Sequence, residues 1–467
     1  MTNDLATLSA VEQAALIRAR KASPVEVTRA VLDRIAAWHR LNAFAALDEQ
    51  GAMEAARRAE AALMDGTPLG LLHGVPVSIK DVAAVQGLPT RRGSRLSDPT
   101  PAKADAPVVA RLKAAGGVIL GKSTSTEQGW TAVSSNPLTG HTHNPWKQGV
   151  TAGGSSSGAA ALAGSGCGAL HLGTDGAGSI RLPAHFCGAV GHKPTYGLVP
   201  YAPVPNNGAL SHAGPITRSV ADAALMLEAM AGLHPADHTT LPFGFRRDWI
   251  GAPDLRGLRI AYSPDLGHAR VDPEIADAVR AALTAFEEAG AIVEEVTPPW
   301  GPKGPALERD LWGAAMLPFA ETDAARRAEQ DPGLVACLDD YAGFTLAQAH
   351  AAQGRRFAYA AEIAQWFASG WDLLVTPSAS VAAFTVGRQR PEHWPDHAWD
   401  WLVWAEFSYP FDLSHGPAVS VPCGRTSDGL PIGLQIAGTR CADALVLRAA
   451  AAFQEARPFS PAFASQQ

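Results

Sequence analysis

Residues 153–158 read Gly-Gly-Ser-Ser-Ser-Gly, and residues 173–183 read Gly-Thr-Asp-Gly-Ala-Gly-Ser-Ile-Arg-Leu-Pro. The stretch 149–197 that contains both holds 13 of the chain's 45 glycines. Glycine at this density suggests backbone amides brought close to a ligand, in conformations that other residues avoid. Between the two clusters, residues 159–164 are small and helix-compatible and Leu170–Leu172 is strand-like.

Outward from this stretch, helices and strands interleave. Upstream, Val75–Ile79 is a short apolar strand that runs straight into Lys80-Asp81, Asp105 is positioned to cap a helix through Val108, Val109 and Leu112, and Val118–Leu120 reads as a buried strand. Before them come helices opened by Ser23-Pro24, with serine as N-cap and proline at the first helical position, and over 51–64. Downstream, Ser219-x-x-Asp222 reads as a capping box opening a helix to about Met230. Strands are expected at Leu258–Tyr262, Ile292–Val296, Trp371–Thr376, Ala418–Pro422 and Pro431–Ile436, with helices at 273–289 and 442–455. This alternation predicts an α/β fold whose sheet is covered by helices on both faces. No linker rich in Pro, Gly or Ser divides the chain, and no repeat is visible.

Composition narrows the function. The 467 residues are 47% hydrophobic and 18% charged, which excludes disorder, and the glycines lack the period of collagen. No apolar run approaches membrane-spanning length. The formal charge of −7, without clustered lysine and arginine, argues against a nucleic-acid surface. The N-terminus lacks a signal-peptide pattern. Five scattered cysteines, Cys167, Cys187, Cys337, Cys423 and Cys441, form no C-x-x-C pair, so reduced thiols in a cytoplasmic protein are expected rather than disulfides or zinc.

Three motifs invite other readings. Gly116 to Ser123 fits the phosphate-loop formula, but its middle residues include Val-Ile-Leu, which is itself a strand, and a helix precedes it. Gly154-Ser155-Ser156-Ser157-Gly158 fits the nucleophile elbow of a Ser-His-Asp esterase with Ser156 as nucleophile, yet no hydrophobic strand precedes it. His141 and His143 lie two apart in a loop with no third ligand nearby, so no metal is expected.

The chemistry that remains is a lysine and serines. A lysine drawn into the interior at the end of an apolar strand loses hydration, which lowers its pKa. A neutral lysine is a general base, and a serine beside it becomes a nucleophile.

These segments together resemble the amidase signature family. The resemblance is carried by G-G-S-S-S-G-A-A-A at 153–161, by the run from Gly173 to Gly197, and by H-G-V-P-V-S-I-K-D at 73–81. Further matches are N-P-L-T-G at 136–140, G-P-I-T-R-S-V-A-D at 214–222 and G-P-A-V-S-V-P-C-G at 416–424. The resemblance implies a large twisted mixed sheet and a triad of Ser179 as nucleophile, Ser155 as bridging serine and Lys80 as base. It also implies a cis peptide at Gly154–Ser155. The backbone N–H groups of Gly176, Ala177, Gly178 and Ser179 would hold the oxyanion, with Ser156 and Thr174 as supporting hydrogen-bonders and Asp175 and Arg181 as structural residues. Family members commonly carry glycine where Ala177 stands, so alanine is a cost there if the site needs positive φ.

The resemblance also implies one domain over 1–467. Within it, 1–65 would be N-terminal helices, 66–232 the signature core, 233–410 the variable substrate-determining part, and 411–467 a return to the core. Trp394, Trp399, Trp401 and Trp404 suggest either a core-packing helix or, with Trp130, an apolar wall of a pocket; Trp130, Trp401 and Trp404 are taken as pocket candidates. The expected substrate is therefore an aryl or hydrophobic amide, anilide or carbamate, with esters or urethanes as side activities. No cofactor, nucleic acid or membrane is expected, and the protein would be a monomer or homodimer. The competing reading is the glutaminase component of a tRNA-dependent amidotransferase, which would need protein partners.

Overall fold

The computed structural model describes residues 5–465; residues 1–4, on which the signal-peptide expectation partly falls, and 466–467 lie outside the described residues. Thirteen strands are described: β1 (Phe44–Leu47), β2 (Pro76–Lys80), β3 (Val118–Ser123), β4 (Ser135–Asn136), β5 (Gly140–His141), β6 (Leu170–Asp175), β7 (Val190–Lys193), β8 (His212–Thr217), β9 (Arg259–Tyr262), β10 (Ile292–Glu295), β11 (Leu373–Pro377), β12 (Ala418–Arg425) and β13 (Pro431–Gly438). All but the β4–β5 hairpin join one sheet in the order β1-β3-β2-β6-β8-β7-β12-β13-β11-β9-β10. Its pairings are mixed: β2 lies parallel to β3 and β6, the centre from β6 through β8, β7, β12 and β13 to β11 is antiparallel, and β11-β9-β10 is parallel again.

Both faces of this sheet are packed. Alternate residues of one strand point to opposite sides. Accordingly, Leu373 and Val375 of β11 join the apolar cluster containing the helices Val220–Met230 and Asp443–Ala456, while Leu374 joins a second cluster rich in tryptophan. Covered on both sides, the expected α/β layering holds.

Most expected elements fall within a few residues of their observed bounds, and the differences have identifiable causes. Ser23 caps Pro24–Ala37 in a full capping box with Glu26. Asp105, by contrast, is no cap: the N-cap is Ala106, and the Asp105 carboxylate accepts instead from Gln86 N and Lys113 Nζ, both at 2.8 Å. The Ser219 hydroxyl accepts from Asp222 N, but the Asp222 carboxylate turns away to Val11 N at 3.1 Å, so only half of the box forms. The helix at 273–289 is two, Pro273–Ala282 and Thr284–Glu288. No helix covers 394–401; only Leu402–Trp404 makes a short 3-10 turn. Each indole there is drawn to a different acceptor, Trp394 to Asp272 and Trp399 to Asp340. Among the described residues no disulfide joins any of the five cysteines. No described helix is long and apolar enough to cross a membrane.

Candidate active site

Three parallel strands deliver the site. The last residue of β2 is Lys80, the last of β6 is Asp175, and β3 runs alongside β2. Helix α1 (Ser157–Ser165) starts within the first serine cluster, just after Ser155 and Ser156, and helix α2 (Arg181–Cys187) within the second, just after Ser179 and Ile180. Both clusters therefore sit on turns between a buried strand or loop and a buried helix, and they meet at one cleft lined by Lys80, Ser155, Thr174, Gly176 and Ser179.

Lys80 is fully buried. Its Nζ lies 2.7 Å from Ser155 Oγ, 2.8 Å from Thr174 Oγ1 and 3.3 Å from Thr174 O. Burial lowers its pKa to about 7, against the opposing pull of Asp175. Three oxygens therefore surround the amine: the carbonyl and hydroxyl of Thr174 and the hydroxyl of Ser155. Gly154–Ser155 is cis. The Ser179 side chain opens on the same cleft, and among the described residues its hydroxyl has no protein hydrogen-bond partner.

Ser156 is used differently. Its Oγ donates to Thr174 O at 3.1 Å and accepts from Thr174 N at 3.2 Å, and it is completely buried. That engagement ties the first serine cluster to β6 and speaks against Ser156 as an elbow nucleophile.

The loop expected to hold the oxyanion departs from that expectation at Gly178. Its N–H donates to Asp175 Oδ1 at 2.5 Å, and Ile180 N donates to Asp175 Oδ2 at 3.1 Å. Gly178 is therefore not a free donor. Among the described residues the N–H groups of Gly176, Ala177 and Ser179 have no protein acceptor. The positive φ of this loop belongs to Gly178, at 110°, and not to Ala177. The expected cost of alanine at 177 does not arise; its carbonyl accepts from Ser408 Oγ at 2.8 Å. A β-carbon at Gly178 would instead collide with Ser408 and Leu182.

Behind the loop, Arg181 holds Asp175 through two bonds of 2.9 Å. It also donates to Ser408 O at 2.7 Å, Gln435 Oε1 at 2.8 Å and Asp412 Oδ2 at 2.6 Å. Burial by itself would raise the Asp175 carboxyl, but the adjacent guanidinium carries it well below the usual range. The charged Asp175 thus fixes the turn that precedes Ser179, as a structural residue.

The tryptophan expectation is corrected. Trp130, Trp401 and Trp404 are all fully buried and belong to the core rather than the cleft wall. The Nε1 groups of Trp312 and Trp401 both donate to the Trp130 carbonyl at 3.0 Å, and Trp404 Nε1 donates to Gln389 O at 2.8 Å. The wall is built by residues that the sequence did not mark: Trp312 and Met316 of helix α3 (Gly304–Met316), Tyr201, Asn206 and Asn207 of the loop between β7 and β8, and Arg92 and Gln128. Only the adjacency of Gln128 and Gly129 to Trp130 hinted at this surface.

The rejected motifs also find their places. Lys122 of the phosphate-loop formula lies inside β3 and pairs with Asp81 at 2.9 Å, with Thr90 Oγ1 at 3.0 Å. His141 Nδ1 meets Ser135 Oγ at 2.7 Å, and His143 Nδ1 accepts from Gly149 N at 3.3 Å. Among the described residues no group of three or more His, Cys, Asp or Glu is placed to hold a metal ion.

A profile of the amidase family matches residues 26–447. The chain is 40% identical over 477 positions to the acylamidase of Rhodococcus erythropolis, covering 97% of this chain and 96% of that protein. It is 35% identical to the A component of the glutamyl-tRNA(Gln) amidotransferase of Salinispora arenicola (strain CNS-205), covering 98% of this chain and 99% of that protein. The crystal structure of a bacterial aryl acylamidase of the amidase signature family superposes with a TM-score of 0.90 at 29% identity, covering 98% of both chains. A chain matched by one family over nearly its whole length, with a buried lysine and two serines meeting at one cleft, belongs to the amidase signature family and is a hydrolase acting on amides.

Proposed function

We propose that amide cleavage here runs through an acyl-enzyme on Ser179, with Lys80 as base and Ser155 as proton relay. The observation that carries this reading is the fully buried Lys80, whose Nζ stands 2.7 Å from Ser155 Oγ. Neutral Lys80 takes the proton of Ser155, and Ser155 takes that of Ser179 as Ser179 Oγ attacks the carbonyl carbon. The carbonyl oxygen, now negative, meets the free N–H groups of Gly176, Ala177 and Ser179, each such donor being worth about 3–4 kcal/mol of barrier. The C–N bond breaks as the relay returns a proton to the leaving nitrogen. Water, deprotonated by the same relay, then attacks the ester carbonyl and frees Ser179. The whole chain acts as one catalytic unit, with strands from 66–232 and from 411–467 meeting in one sheet.

The substrate class we propose is an aryl or hydrophobic amide, anilide or carbamate. Trp312 and Met316 beside Ser179 support it, as do the acylamidase and aryl acylamidase relatives. The glutaminase reading draws its support from the amidotransferase match. Assay of the purified chain alone against anilides, aryl carbamates, esters and glutamine separates the two. We expect turnover of anilides without any partner; turnover of glutamine alone, only with partner proteins present, would overturn the proposal. Met316→Ala is expected to lower kcat/KM for a hydrophobic anilide about 10-fold, the value of losing one apolar contact, while leaving acetamide hydrolysis nearly unchanged. Equal losses on both substrates would remove Met316 from the pocket wall.

A further inference from the structure

With Gly178 committed to Asp175, the backbone offers three donors to the oxyanion and not four. We propose that the side-chain amide of Asn207 supplies an additional donor to the substrate's carbonyl oxygen, making Asn207 a catalytic residue that lies outside the glycine-serine stretch. This inference rests on Ser179 being the nucleophile.

Asn207 lines the cleft together with Ser155, Gly176 and Ser179. Its Nδ2 occupies the very space that a β-carbon at Gly176 would fill. The amide therefore lies against the residue whose free N–H opens the oxyanion loop, and only glycine at 176 permits that approach. Its orientation is set from the other side. Ser211 Oγ donates to Asn207 Oδ1 at 2.5 Å, which takes up the oxygen and turns the NH2 toward the loop. The main chain is held as well: the Asn207 carbonyl accepts from Leu210 N at 3.1 Å, and neighbouring Asn206 donates to Ala315 O at 3.0 Å, which pins the segment to α3. Among the described residues Asn207 Nδ2 has no acceptor. An oriented, unpaired amide donor beside the backbone donors is what a developing oxyanion requires, and side-chain amides serve this role elsewhere.

The test is steady-state kinetics of Asn207→Ala, Asn207→Asp and Ser179→Ala on one anilide. Asn207→Ala is expected to lower kcat about 100-fold with KM changed less than about 3-fold, because the lost contact forms fully only in the transition state. Asn207→Asp keeps the volume and the acceptor for Ser211 but loses the donor. Its kcat at pH 8 should fall at least as far, then recover relative to wild type as the pH drops and the carboxyl regains a proton to donate. A merely structural asparagine would be rescued by aspartate at pH 8 and would show no such recovery. Wild-type kcat in Asn207→Ala, or in Asn207→Asp at pH 8, while Ser179→Ala is dead, overturns this inference alone. Turnover surviving in Ser179→Ala removes the nucleophile assignment and this inference with it.

Discussion

Ser179→Ala is expected to reduce amide hydrolysis to background, a loss of about 10⁶-fold in kcat, while leaving the melting temperature within about 2 °C of wild type. Both halves follow from one observation. The Ser179 hydroxyl opens on the cleft with no protein partner among the described residues, so its removal strands no buried polar group. The Ser179 backbone stays in place, including the carbonyl that accepts from Ser156 N at 3.3 Å. Ser156→Ala should behave in the opposite way. Its hydroxyl makes two buried bonds to Thr174, so its loss is expected to cost stability of about 1–3 kcal/mol and only part of the rate. A Ser156→Ala protein that is stable and dead, beside an active Ser179→Ala protein, would restore the esterase elbow. Thermal unfolding and initial rates on the same samples make the comparison.

Lys80→Met is expected to cost about 10³-fold in kcat/KM at pH 8, and it should erase a pH dependence of the wild-type enzyme. Burial places the Lys80 pKa at about 7, and only the neutral amine can take the Ser155 proton. Wild-type kcat/KM should therefore rise through pH 7 and level off above it. Stability carries an independent signature of the same group. In the unfolded chain Lys80 keeps its proton up to the ordinary lysine range, whereas in the folded protein it releases it near pH 7. Between those values the unfolded state binds more protons, so the Lys80 contribution to stability rises with pH and is least favourable below pH 7. Methionine removes this slope. The melting temperature of Lys80→Met minus that of wild type should thus be larger at pH 7 than at pH 10, and a pH-independent difference would mean that Lys80 is not held as a neutral amine.

Local chemistry was legible in the sequence, and long-range chemistry was not. Lys80 was marked by the apolar run before it, and Ser155 and Ser179 by glycine density and family resemblance. The strands most easily read were continuous apolar runs. β8, His-Ala-Gly-Pro-Ile-Thr, is buried along its whole length yet has neither alternation nor an apolar run, because Gly214 is demanded by the close approach of the His192 carbonyl. The commitment of Gly178 N–H to Asp175 is local in the chain, but the charge that keeps Asp175 in place depends on Arg181, itself anchored to Ser408, Asp412 and Gln435 more than 200 residues away. Tryptophan content drew attention to residues 394–404, whereas the indole at the cleft is Trp312, whose i+4 neighbour Met316 places one side of α3 beside Ser179. Asn207 carries no motif at all; its meaning comes from Gly176 and Ser211 meeting it in space.

The central claim is the covalent role of Ser179, and trapping the intermediate tests it most directly. An activated aryl ester or anilide mixed with enzyme, quenched in acid and digested, should yield one peptide heavier by the acyl group, with fragmentation placing that mass on Ser179. The same adduct should be absent from Ser179→Ala and form more slowly in Lys80→Met. An acyl group located on Ser156, or an adduct that persists in Ser179→Ala, would contradict the account.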